Sequence, residues 1–256
     1  MPAAIWEHQI VFFSEATRVL AMEPRSYGLS TQTAEGNNPE AHARDIKAVL
    51  DQLKLRPAVL VGWSLGVDDI TAYVDQCGTD GISALVFVDE LLIYQRDSDF
   101  MNWYSDFIRD IQRDRPGVTA KFVRGMYLKP QSEEYLQRIT RGAMLTPTDT
   151  AVALLDAWVA VDRAPALEKI DKPTLIVSAS YGGDLKYLGT QQDMQRRIRW
   201  SRPLCRRLRS VQRAVDRFLE GARQKLEPSC GQTASVTQGI GSAAELGAGQ
   251  PCRQVP

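Results

Sequence analysis

The chain has 256 residues, which suits one large domain or a domain carrying an insert. With 44% hydrophobic and 24% charged residues it has the balance of a globular protein, and a formal net charge of zero provides no global field to recruit nucleic acid or an anionic membrane. No apolar run reaches the roughly 20 residues a membrane span needs, and the opening Met1-Pro2-Ala3-Ala4-Ile5-Trp6-Glu7-His8 lacks the basic-then-apolar order of a signal peptide.

Ile5 to Phe13 carries apolar residues at 5, 6, 10, 12 and 13, which predicts a short amphipathic helix. Arg18-Val19-Leu20-Ala21-Met22 reads as a buried strand that ends in a loop, Glu23-Pro24-Arg25-Ser26-Tyr27-Gly28-Leu29-Ser30. Pro39 to Leu53 reads as a helix, with Ala43, Ile46, Val49, Leu50 and Leu53 at helical spacing and Pro39 in its first turn. Ala58-Val59-Leu60-Val61 is continuously apolar, as a parallel strand covered on both faces should be. Val67 to Gln76 is the next helix, with Gly78 as its stop. Ala84 to Val88 and Pro173 to Ser178 repeat the buried-strand pattern. Strands alternating with helices predict an α/β fold with a doubly wound, mostly parallel sheet.

Between Leu91 and Pro165 the pattern is helical only: Asp99–Arg113, Glu133–Arg141 and Thr148–Val161, punctuated by Gly117, Pro130 and Pro147. This block, 91–165, is expected to be a helical cap laid over one sheet edge, rich in aromatic side chains such as Trp103, Phe107 and Trp158. The core would comprise 1–90 and 166–226. The arginines between Gln195 and Lys225 have no interleaved aromatic pattern, so they read as a solvated helical face in preference to a nucleic-acid surface. Residues 227–256 are rich in Gly, Ser, Ala, Gln and Pro and are expected to be a disordered tail. The four cysteines, Cys77, Cys205, Cys230 and Cys252, form no C-x-x-C pair. They are expected to be free thiols in a cytoplasmic protein, with no zinc site.

Gly62-Trp63-Ser64-Leu65-Gly66 fits G-x-S-x-G in the context that gives the motif meaning, directly after a buried strand and directly before a helix. A sharp strand-to-helix turn holds the serine in a strained conformation with its Oγ exposed. Gly62 and Gly66 are expected to keep Cβ atoms out of closely approaching backbone. The helix N-terminus favours a developing anion, so the Leu65 N–H becomes an oxyanion donor. Trp63 and Leu65, flanking the serine, fall at the oxyanion and substrate-binding position.

With these residues the chain resembles the α/β-hydrolase superfamily over roughly residues 4–198, most closely its capped serine esterase, haloperoxidase-like and epoxide-hydrolase-like branch. Arg18 to Ser30 is similar to that family's R-V-x-A-x-D-x-R-G-x-G-x-S segment, with Glu23 in place of Asp and Ser26 in place of Gly. Leu167 to Val177 is similar to the strand leading to the triad acid. The resemblance implies a serine nucleophile, Ser64, whose proton passes to a histidine oriented by an aspartate. Asp184, after the 174–178 strand, and Asp89, after the 84–88 strand, are the two candidates for that acid. Neither a metal nor an organic cofactor is implied, and the partner is a small ester-like substrate. Epoxide hydrolases and haloalkane dehalogenases usually carry Asp where this chain has Ser64.

Two departures qualify the expectation. The family's Gly-His loop has no counterpart: the histidines are His8 and His42, both expected at the surface, and the stretch after Arg199 reads as divergent or out of frame. The family's first strands and oxyanion loop would precede Ile5-Trp6, so the chain reads as short at its start. Activity of this chain is therefore expected to be weak or absent. The alternative is a non-catalytic binding protein on an eroded hydrolase scaffold.

Overall fold

The computed structural model describes residues 1–90, 92, 96–127 and 130–178, together with the backbone of 196–199. The chain separates into two compact units, one of residues 1–42 and 95–160 and the other of 43–94 and 161–256. Residues 1–42 thus cluster with 95–160.

The second unit is the α/β part. Its sheet is built from β1 (Ala58–Trp63), β2 (Ile82–Val88), β3 (Thr174–Ser178) and β4 (Arg196–Arg199), in the order β1-β2-β3-β4 with every pair parallel. β2 lies inside the sheet, and Ala84, Leu85, Val86 and Phe87 are all buried, so both of its faces are covered. Leu85 and Phe87 pack with Val67, Ile70, Tyr73 and Val74 of α3 (Leu65–Cys77) and with Leu50 of α2 (Pro39–Gln52). Leu167, from the short helix α8 (Ala164–Glu168), and Ile170 complete that core. α3 ends at Gly78, whose φ of 67° is the left-handed conformation expected of a glycine stop.

The first unit is helical. A 3-10 turn, Ala3–Trp6, leads into α1 (Glu7–Ser14), followed by α4 (Ser98–Arg113), α5 (Arg115–Gly125), α6 (Glu133–Met144) and α7 (Thr148–Ala160). Val123, Leu136 and Ile139 form one core cluster in it, with Ala4 and Ile5 packed against them, and Tyr104, Ile111 and Leu154 are buried as well. α5 was not expected, because Gly117 reads as a break. Asp114 caps the helix by accepting a hydrogen bond from the Gly117 N–H at 3.0 Å, and Pro116 occupies the first turn, where its missing N–H costs nothing.

Two further expectations fail. Arg18–Met22 is not a strand, and Leu20 is 52% exposed; a strand exists only through its partners, and β1 has β2 as its one neighbour among the described residues. Arg196–Arg199, read as part of a helical face, instead pairs with β3 from Leu175 to Ser178. Ladder pairing supplies the backbone hydrogen bonds whatever the side chains, so arginine composition does not report it. Residues 200–256, including the expected tail and the segment read as divergent, lie outside the described residues.

Candidate active site

Ser64 stands between β1 and α3 with φ 51° and ψ −125°, a left-handed conformation that a serine adopts only under constraint. The constraint is visible on both sides: the Ser64 N–H donates to the Val88 carbonyl at 3.0 Å, and the Ser64 carbonyl accepts from the Val67 N–H at 2.8 Å. A serine before a helix ordinarily caps it with its hydroxyl. Here the side chain makes no cap hydrogen bond, which leaves Oγ uncommitted to the helix. Leu65 is the first residue of α3 and Trp63 the last of β1; both are half-buried beside Ser64.

The two glycines of the motif differ. A Cβ on Gly62 would lie 2.5 Å from the Gly66 carbonyl oxygen and 2.9 Å from Ile70 Cδ1, so the strand and the helix approach too closely there for any side chain. A Cβ on Gly66 would meet nothing within 4 Å among the described residues, which corrects the expectation that it too is sterically required.

Asp89 also has positive φ, 51°, and its N–H donates to the Val177 carbonyl at 2.7 Å. Trp63 and Val88 are register partners, so Ser64 and Asp89 each lie one residue beyond a paired position, at the carboxyl end of adjacent parallel strands. Ligands of open α/β sheets bind at this end. The other acid candidate, Asp184, lies outside the described residues.

Sequence reasoning missed a buried ionic cluster next to this turn. Asp68, in the first turn of α3, is in contact with Arg163, the residue preceding α8, and Arg163 also lies 3.7 Å from Glu90, which follows Asp89. The three side chains are 1%, 2% and 6% exposed. Burial pushes the Asp68 carboxyl up to about 8, and repulsion from Glu90 and Asp69 adds to this against the pull of Arg163. Asp68 carries one local signal, since it is charged within the buried face formed by Val67, Ile70, Thr71 and Val74. Arg163 carries none.

One of the two histidines departs from the expected surface position. His8 is exposed on α1, but His42 is only 1% exposed, its ring edge-on to Tyr27 at 6.1 Å, so its place in a polar stretch misrepresents it. Both belong to the unit that does not carry Ser64. Cys77, expected as a free thiol, is disulfide-bonded, and the other three cysteines lie outside the described residues. Among the described residues no cluster of His, Cys, Asp and Glu could hold a metal ion, and no helix is long and apolar enough to cross a membrane.

Upstream, the Glu23–Ser30 loop is organised by one carboxylate. Glu23 accepts from the Ala3 N–H at 2.8 Å and from the Leu29 N–H at 2.9 Å, and Ser30 Oγ donates to its carbonyl at 2.7 Å. Gly28, with φ 49°, has no room for a Cβ because the Glu23 carboxylate fills the space at 2.2 Å. Ser26 occupies a left-handed position, φ 61°, and its Oγ accepts from the Thr33 N–H at 2.9 Å.

Comparison with known proteins bears on the family and the fold. The profile of the alpha/beta hydrolase fold matches residues 3–199. The chain is 31% identical to a non-heme haloperoxidase of Rhodococcus erythropolis, over 67% of this chain and 68% of that protein. It is 26% identical to a bifunctional esterase/perhydrolase of Acinetobacter calcoaceticus, over 67% of each. Among solved structures, a bromoperoxidase from Bacillus anthracis superposes with a TM-score of 0.75 at 22% identity, covering 86% of this chain and 88% of that one. With the profile spanning well over half of its length, the chain belongs to the α/β-hydrolase family.

Proposed function

We propose that the chain is a serine hydrolase that takes a small ester-like substrate through an acyl-serine intermediate. The observation that carries this is Ser64 itself, held at positive φ between the half-buried strand β1, whose Val61 is exposed where the sequence predicted cover on both faces, and a helix N-terminus, with its hydroxyl not engaged in capping. Ser64 Oγ attacks the carbonyl carbon and gives its proton to water, and the Leu65 N–H stabilises the oxyanion. Collapse of the oxyanion expels the alcohol and leaves the acyl-serine, which water then hydrolyses; Trp63 borders the substrate. Asp89 or Asp184 is the orienting acid, and residues 91–165 are a helical cap insert. The esterase and haloperoxidase relatives support hydrolytic chemistry of this class. No histidine lies among the described residues of the unit carrying Ser64, so turnover is expected to be low; losing the base costs about as much as losing a whole triad.

A fluorophosphonate probe tests the nucleophile directly. Labelling mapped to Ser64 by peptide mass spectrometry and lost in Ser64→Ala is the expected result, accompanied by slow p-nitrophenyl acetate hydrolysis that the same substitution removes. An unlabelled wild-type protein, or labelling that survives Ser64→Ala, overturns the reading in favour of a non-catalytic binding protein. The absence of a histidine near Ser64 in its own unit is what favours that second reading.

A further inference from the structure

We propose that Arg163 is a positioning residue that couples the Ser64 turn to the Asp89 turn through Asp68 and Glu90, and that this buried cluster is a charge switch beneath the nucleophile. The proposal rests on the serine-hydrolase reading for its effect on reactivity, and on geometry alone for the coupling. Asp68 is in the first turn of the helix that begins at Leu65, Glu90 follows Asp89, and Arg163 touches the first and lies 3.7 Å from the second. One guanidinium therefore ties the end of β2 to the start of α3, and both Asp89 and Ser64 there are held at positive φ.

Two buried carboxylates facing one guanidinium carry a net negative charge when both are ionised, and burial makes that state expensive. The cluster meets this by keeping a proton on Asp68, whose carboxyl stands at about 8. Among the described residues, the charged groups that act most on Asp68 are Arg163, Glu90 and Asp69. β1 contributes none, and Asp75 on α3 is paired at the surface with Lys169 beyond α8. Below the transition the cluster is neutral, and the first turn of α3 is free to stabilise an anion at its N-terminus. Above it, Asp68 joins Glu90 as a second carboxylate charge in the cluster, places that charge in the first turn of α3 and opposes the oxyanion formed at Leu65.

The test follows the Leu65 amide by 1H–15N NMR and the rate of fluorophosphonate labelling, from pH 5.5 to 9.5, in wild type, Asp68→Asn, Glu90→Gln and Arg163→Lys. The Leu65 amide is expected to titrate with a midpoint near 8 in the wild type, to stay flat in Asp68→Asn, and to titrate at lower pH in Glu90→Gln. The ratio of wild-type to Asp68→Asn labelling rates should fall about tenfold between pH 6 and pH 9, the scale of a charge at a partly buried helix terminus. Arg163→Lys, which keeps the charge, should retain the titration with a shifted midpoint. A Leu65 amide that does not titrate, or that titrates unchanged in both carboxylate variants, overturns the proposal, as do parallel labelling profiles. If Ser64 labels in no variant at any pH, the hydrolase reading fails while the amide titration still decides the coupling; if Asp68→Asn does not fold, the midpoint shift in Glu90→Gln decides it.

Discussion

At the scale of single residues, the nucleophile turn is specified by one glycine and one buried carboxyl. Because a Cβ on Gly62 would penetrate the Gly66 carbonyl, Gly62→Ala should destabilise the protein by about 1–3 kcal/mol, the range for forced overpacking, and should disturb labelling at Ser64. Gly66→Ala meets open space at a helical position, so it should be neutral or stabilising by up to about 1 kcal/mol. Urea unfolding midpoints of the two variants check the contrast. Asp68 adds a pH dependence whose sign can be worked out: its ordinary carboxyl value is 3.8, and the folded value is about 8. The stabilisation from keeping its proton is full below 3.8 and is lost as pH rises through 8, because the unfolded chain gives up that proton first. The melting temperature of Asp68→Asn relative to wild type should therefore climb between pH 4 and pH 8 and level off above, as measured by scanning fluorimetry.

At the scale of elements, the loop 23–30 depends on a charged side chain as much as on its glycine. Glu23 replaces the aspartate of the resembled motif, and its carboxylate binds two backbone N–H groups from separate segments. Glu23→Ala would leave both donors to find water, and the expected loss is about 1–3 kcal/mol in chemical denaturation. Loss below about 0.5 kcal/mol would show that solvent replaces the carboxylate at no cost. The helices of the first unit follow the same local logic: Asp97, Asp114 and Ser132 each accept a capping hydrogen bond from a backbone N–H three residues on. Of these caps, Asp114 was hidden in the sequence by the Pro-Gly pair that follows it, which is as compatible with a helix start as with a turn.

At the scale of the whole molecule, each unit has an apolar core cluster among the described residues. Phe87 belongs to the core of the α/β unit and Ile139 to that of the helical unit, and the two clusters share no residue. Phe87→Ala should cost about 3–5 kcal/mol and Ile139→Ala about 2–5 kcal/mol if unfolding is cooperative. Their effects should add within about 0.5 kcal/mol, and a larger deviation in the double variant would reveal coupling between the cores.

By itself the sequence determined the alternation of strands and helices in 39–88, the position of Ser64, and the glycine stop at residue 78. Each of these is encoded within a few neighbouring residues: helices close their hydrogen bonds four residues apart, and a strand–Gly–Ser–helix turn is short. The tertiary structure alone decided that Arg18–Met22 forms no strand, that Arg196–Arg199 does, that His42 is buried, and that Cys77 is bonded. It alone placed Arg163 against Asp68 and beside Glu90. Sheet pairing, burial and ion pairs join residues far apart in the chain, and their energies depend on what the folded backbone brings together, which no local pattern records.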